Sequence, residues 1–204
     1  MSKKVAVTGT PGVGKTKIAR LLAEELDAEY FDVTEEVREG SSAGYDYDRG
    51  VPVADIKALR DTVSDGDEDG GEDGDENGDG NVVLDGHISH HLRPDAVVVL
   101  RCRPDVLRER LVERDWDDEK VRENVESEAL DILLAEALGA TRGRDVPVIE
   151  FDTTDSTPEE AAERIVRALE ESEGEDSIGV VDWSDHIDIE IEGEREGKER
   201  EVPD

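Results

Sequence analysis

The chain has 204 residues, of which 57 are acidic and 24 basic, for a formal net charge of −33, and it is only 35% hydrophobic and 3% aromatic. That length suits one α/β domain with additions and is enough to bury a core. The acidity argues against non-specific binding to nucleic acid or an anionic membrane at low salt, and no apolar run approaches the ~20 residues of a membrane span.

The chain opens with a short apolar strand, about Lys4–Thr8. It runs into Gly9-Thr10-Pro11-Gly12-Val13-Gly14-Lys15-Thr16, the G-x-x-x-x-G-K-T pattern of a phosphate-binding P-loop. A helix over Lys15–Leu26 follows, with Ile18, Ala19, Leu22 and Leu26 at spacings of three and four. Strand, loop and helix are the context this motif needs. Its glycines let backbone N–H groups turn toward phosphate oxygens, and the helix N-terminus adds a positive dipole end. In this reading Gly9, Pro11, Gly12, Val13 and Gly14 wrap the phosphates of a nucleoside triphosphate. Lys15 neutralises the β/γ-phosphates, and Thr16 holds Mg²⁺ through its hydroxyl.

A second strand is predicted at Glu29–Asp32, and Thr34 caps a short helix, Glu35–Glu39. Gly40 to Gly50 reads as a loop and Val53–Val63 as a helix. Residues 65–79 hold nine acidic residues, five glycines and one asparagine, a composition that reads as a disordered linker. Asn81–Asp85 and Asp95–Arg101 are apolar runs of the kind buried in parallel sheets. The lone Cys102 excludes an intrachain disulfide, fits a reducing cytoplasm and reads as buried filler. Pro104 opens a helix with Val106, Leu107 and Leu111 on one face. After a break at Asp115–Asp117 a long helix is expected over Asp118–Leu138, stopped by Gly139. A last core strand, Val146–Phe151, and a helix from Thr157 to Leu169 complete the pattern. Beyond it lies an acidic extension in which 178–183 and 186–191 alternate weakly, as an appended hairpin or as docked edge strands. Alternating strands and helices imply a P-loop α/β fold: a five-stranded parallel sheet with helices on both faces and its ligand at the strands' carboxyl ends.

Four features together resemble the archaeal and nuclear adenylate-kinase-like family linked to maturation of the small ribosomal subunit. They are the P-loop; the strand ending Val83-Leu84-Asp85-Gly86-His87, which matches a D-x-H Walker B variant; Arg110-Leu-Val-Glu-Arg114-Asp-Trp, which matches a short lid; and Asn124 with Glu128 on the following helix. The resemblance covers roughly residues 3–170. It implies a nucleoside-monophosphate-binding lobe at about 33–64, a lid at about 111–119, and an extension from 171 to 204 outside the domain. It implies that Asp85 holds the Mg²⁺ shell through water, that His87 orders water or phosphate beside it, and that Arg110 lies near the adenine. It further implies that Arg114 reaches the transferring phosphoryl group and that Arg38 clamps the acceptor phosphate, with Tyr45 and Arg49 weaker candidates nearby. Arginine suits these roles because its planar charge is permanent. An ordinary solvated pairing of Arg110 and Arg114 with Glu109 and Glu113 remains open.

Two activities follow from the resemblance. One is adenylate kinase, ATP plus AMP giving two ADP. The other is an ATPase acting in small-subunit assembly, with a small-subunit ribosomal protein and the immature subunit as partners. A shikimate- or gluconate-type kinase is the third reading, disfavoured by the D-x-H. Nothing points to sequence-specific DNA recognition. With 17 of 24 basic residues Arg and only 7 Lys, the surface resembles that of proteins from salt-loving archaea, with nucleic-acid mimicry as the alternative.

Overall fold

A computed structural model describes residues 3–47, 51–65, 80–171, 177–183 and 185–186. Arg49, nearly all of the acidic segment and most of the stretch 186–191 lie outside the described residues.

Five strands form one parallel sheet: β1 (Lys4–Gly9), β2 (Ala28–Asp32), β5 (Asn81–Asp85), β6 (Ala96–Arg101) and β7 (Val148–Asp152). Their spatial order is β2-β5-β1-β6-β7. The two central pairings set Val7 beside both Asp85 and Val98. Side chains alternate between the faces with the strand period of two. Val5, Val7, Val83, Val98 and Leu100 join one core with α1 (Lys15–Glu25), α4 (Pro104–Val112), α5 (Asp118–Ala129) and α7 (Pro158–Glu171). Ala6, Val97, Val99 and Val148 face the opposite side and meet α6 (Ile132–Thr141). A third cluster joins Val82, Leu84 and Leu92 to α2 (Val33–Glu39) and α3 (Ile56–Asp65). The expected five-stranded sheet with helices on both faces is borne out.

Local details differ from expectation. The cap of α2 is Asp32, whose carboxylate accepts the N–H groups of Thr34 and Glu35, so Thr34 lies inside the helix. The stretch read as a loop holds an antiparallel hairpin, β3 (Ser42–Asp46) and β4 (Val51–Ala54). Nearly all of β3 is exposed, so no apolar alternation marks it. Asp55 caps α3 through the N–H groups of Lys57 and Ala58, so this helix starts at Ile56 rather than Val53. The single long helix is two: Asp131 takes a left-handed conformation (φ 56°) between α5 and α6. Gly139 lies within α6, which runs on to Thr141, where the hydroxyl bonds the carbonyls of Ala137 and Leu138. A short 3₁₀ turn, Ser89–His91, follows β5.

Candidate active site

The P-loop bends because three of its glycines have positive φ: Gly9 at 141°, Gly12 at 101° and Gly14 at 104°. At Gly12 a methyl group would stand 2.7 Å from Leu107 Cδ1 and 2.9 Å from Leu111 Cδ2, so the loop packs directly on α4. Val13 is buried, and its carbonyl accepts the Thr153 hydroxyl at 2.9 Å, tying the loop to the end of β7. Pro11 is half-buried. Helix α1 starts at Lys15 with no side-chain cap, which leaves its first N–H groups for an anion.

Lys15 Nζ donates to the carbonyls of Gly9 (2.8 Å) and Thr10 (3.1 Å). Burial lowers its pKa to about 8 against the pull of Asp85 and Glu128, and the Arg114 charge pushes the same way as burial. Lys15, Asp85, Glu128 and Arg114 therefore share one electrostatic neighbourhood. Thr16 is exposed in the first helical turn. Asp85, at the end of β5, is 3% exposed, and its carboxylate accepts the Tyr30 hydroxyl at 2.8 Å. Burial first, then that hydrogen bond to Asp85, pushes the Tyr30 phenol up to about 12. The Arg20 guanidinium covers the Tyr30 ring, 4.9 Å from its centroid.

The His87 side chain lies at the surface of the next loop, with its imidazole held below the usual range by desolvation among its neighbours and by Lys15. His90 is 1% exposed, and burial, then the nearby His91 and His87, lower its pKa to about 4. The Thr8 hydroxyl donates to the His87 carbonyl at 3.0 Å and lies 3.2 Å from His90 Nδ1. The buried Nε2 of His90 has no partner among the described residues.

The predicted arginines lie on separate elements, Arg38 in α2, Arg110 in α4 and Arg114 just beyond it. Arg114 is exposed just beyond α4, within electrostatic reach of Lys15. Arg110 turns its Nη2 toward the carbonyls of Thr153 (3.4 Å) and Thr154 (3.3 Å), on the loop after β7. Neither arginine has a described pairing with Glu109 or Glu113. Arg38 is exposed in the last turn of α2, and Tyr45 is exposed on the hairpin. Asn124 keeps to its own helix, donating to the Lys120 carbonyl at 2.7 Å.

Sequence reasoning missed Arg101, Glu150 and Tyr30. Arg101 is 1% exposed and pairs with Glu128 (2.8 Å), Glu150 and Asp131 (2.5 Å). Burial opposes its charge, but Glu128 and Asp131 hold it above its ordinary range. Glu128 also accepts the Thr10 hydroxyl at 2.5 Å and the Cys102 N–H at 3.0 Å. The available signal was a base and an acid inside two buried strands, Arg101 ending Val97-Val98-Val99-Leu100 and Glu150 between Ile149 and Phe151. Cys102 directly follows β6 and is buried, as the sequence suggested, and that burial pushes its thiol up to about 11. No described helix is long and apolar enough to cross a membrane.

A family model described as "AAA domain" matches residues 5–131. The chain is 44% identical over 184 residues to a protein of Pyrococcus abyssi named "Putative adenylate kinase", covering 90% of this chain and 93% of that one. A Natronomonas pharaonis protein of the same name is 40% identical over 185 residues, covering 90% and 99%. Among solved structures, shikimate kinase from Acinetobacter baumannii in complex with shikimate superposes with a TM-score of 0.55, covering 85% of this chain and 96% of that one. At 14% identity this likeness concerns the fold alone.

Proposed function

The chain belongs to the archaeal family whose members carry the adenylate kinase name, and from that premise we propose that it is a nucleoside monophosphate kinase transferring the γ-phosphoryl of ATP to AMP. The observation that carries this reading is the P-loop with Lys15 on its carbonyls, one strand away from the buried carboxylate of Asp85. Phosphoryl transfer needs in-line positioning and charge compensation rather than a protein nucleophile.

In this reading the N–H groups of the loop from Gly9 to Gly14 and the start of α1 bind the phosphates, and Lys15 transfers its bonds from the loop carbonyls to phosphate oxygens. Arg114 compensates charge on the moving phosphoryl group, and Arg110 and the loop after β7 flank the adenine. Arg38 binds the acceptor phosphate once the lobe holding α2 and the hairpin closes. His87, outside the buried core, orders water or phosphate beside Asp85. The donor set fits magnesium, since Thr16 and Asp85 offer hard oxygens. When bound, Mg²⁺ would neutralise charge on the β- and γ-phosphate oxygens.

An assembly ATPase with a small-subunit ribosomal protein as partner is the second reading. What favours it is the exposure of Arg114, in the stretch that the resemblance makes a short lid, an arrangement compatible with water entering as acceptor. One experiment separates the two: ADP formation from ATP and Mg²⁺ in molar KCl, with and without AMP, CMP, GMP and UMP, and with Lys15→Ala as control. Strong stimulation by AMP, lost in the variant, is expected. Slow hydrolysis indifferent to every monophosphate would refute the kinase reading and favour the ATPase. A rate in Lys15→Ala within about tenfold of wild type would sink both, because each relies on that cation at the transferred group.

A further inference from the structure

Part of the acidic extension is joined to the sheet. The N–H of Ser177 donates to the Val148 carbonyl at 2.9 Å, and its carbonyl accepts the N–H of Glu150 at 2.8 Å, a parallel bridge on the outer edge of β7. Two residues later the backbone turns through Gly179 at φ 77°. The turn aims the N–H groups of Gly179 (2.7 Å) and Val180 (2.9 Å) at Glu150 Oε2. The other oxygen of Glu150, on a side chain with 0% exposure, pairs with Arg101 Nη1. Arg101 continues to Glu128 through Nε (2.8 Å) and to the Glu128 carbonyl through Nη2 (2.9 Å). Glu128 Oε2 accepts the Thr10 hydroxyl, and the Thr10 carbonyl accepts Lys15 Nζ. An unbroken run of hydrogen bonds, buried between Glu150 and Thr10, thus leads from the extension to the P-loop lysine.

We infer that the Ser177–Val180 segment is a positioning element of the nucleotide site, acting through Glu150, Arg101 and Glu128 on Thr10. This rests on the nucleotide-binding reading of the P-loop. The physical basis is the balance of buried charge. One buried cation stands between two buried carboxylates, with the half-exposed Asp131 a third. Glu150 meets its share of that demand with the two N–H groups of the extension. Without them Arg101 is the remaining strong donor to Glu150, and the guanidinium moves toward it and away from Glu128. Groups buried in one network cannot turn to water instead, so they respond together. Thr10 then loses the fixed acceptor that sets the first turn of the loop.

The test uses the full-length chain with Gly179→Val and, separately, Val180→Pro. A Cβ at Gly179 meets nothing within 4 Å, so valine there acts through strain in the left-handed turn, which a β-branched residue resists. Proline at 180 deletes one of the two donors. Two readouts are taken: amide hydrogen exchange over residues 9–16, and the KM values for ATP and AMP with kcat. The expected result is faster exchange in the P-loop and an ATP KM raised roughly three- to tenfold, the size of coupling within one network. The AMP KM and kcat are expected to stay within about twofold, since a network behind the P-loop acts on ATP binding before transfer. P-loop exchange and ATP KM at wild-type values in both variants would overturn the inference. Failure of the wild type itself to turn over ATP would instead overturn the kinase reading, and the exchange measurement would still decide the coupling.

Discussion

Replacing Arg101 with Met should be among the most damaging single changes in the core. The guanidinium is 1% exposed and bonds Glu128, Glu150, Asp131 and one backbone carbonyl. Met fills much of the volume, so the loss is electrostatic rather than a cavity. Removing one member of a buried ion pair costs about 3–5 kcal/mol, because the partner is left charged and desolvated. Here the partners keep other donors, Cys102 N–H and the Thr10 hydroxyl for Glu128 and two extension N–H groups for Glu150, which places the loss toward the lower end. Against a total stability of roughly 5–15 kcal/mol that is a large fraction. At roughly 2–4 °C per kcal/mol for a chain of this size, the midpoint should fall by about 6–15 °C. Circular dichroism melts in molar KCl measure it, because salt does not reach a buried pair as it does a surface one. The double variant Arg101→Met with Glu150→Met should regain part of the loss, since one buried unpaired charge disappears with its partner. A single-variant loss below about 1 kcal/mol, or strict additivity in the double variant, would refute the view that these charges depend on one another.

His90 should make stability fall in acid. Its folded pKa, about 4, lies below the unfolded value near 6.5, so between those pH values only the unfolded chain takes up the proton. The contribution is intact above about pH 6.5 and lost as pH falls toward 4; His90→Phe should remove that part of the slope, and urea titrations from pH 7 to 4.5 giving parallel curves for both proteins would contradict it. Gly12→Ala should weaken ATP binding and cost about 1–3 kcal/mol, because a methyl at φ 101° is strained and meets Leu107 and Leu111; binding calorimetry and melts equal to wild type would show the loop repacks freely. Tyr30→Phe removes the hydroxyl that Asp85 accepts at 2.8 Å, and a higher Mg²⁺ requirement for ADP formation is expected; an unchanged requirement would mean that Tyr30 does not orient Asp85.

Much of the architecture was legible because it repeats a period or uses residues with few alternatives. The continuous apolar runs of β5 and β6 read as buried parallel strands, and the glycines and Lys15 of the P-loop announce a backbone that turns around an anion. The D-x-H motif located Asp85 because a carboxylate ending an apolar run needs a partner. Boundaries were less legible. The break at Asp131 looks like ordinary helix sequence, because what fixes it is a partner 30 residues away, the Arg101 guanidinium. Asp32 ends β2 as expected, but its side chain also caps the next helix, the role the sequence assigned to Thr34. The hairpin at Ser42–Ala54 is exposed on most of its first strand, so no hydrophobic alternation records it.

The sequence by itself determined the layering of the sheet, the loop that binds phosphate and the residue types around it, since these follow from hydrophobic period and local backbone geometry. Only the tertiary structure decided which charges meet inside. Arg101, Glu128 and Glu150 come from three separate elements, and the N–H groups that complete Glu150 come from the extension. A local window carries no trace of such a meeting, because the charges are tolerated only where distant strands and helices enclose them together and supply every hydrogen bond they need.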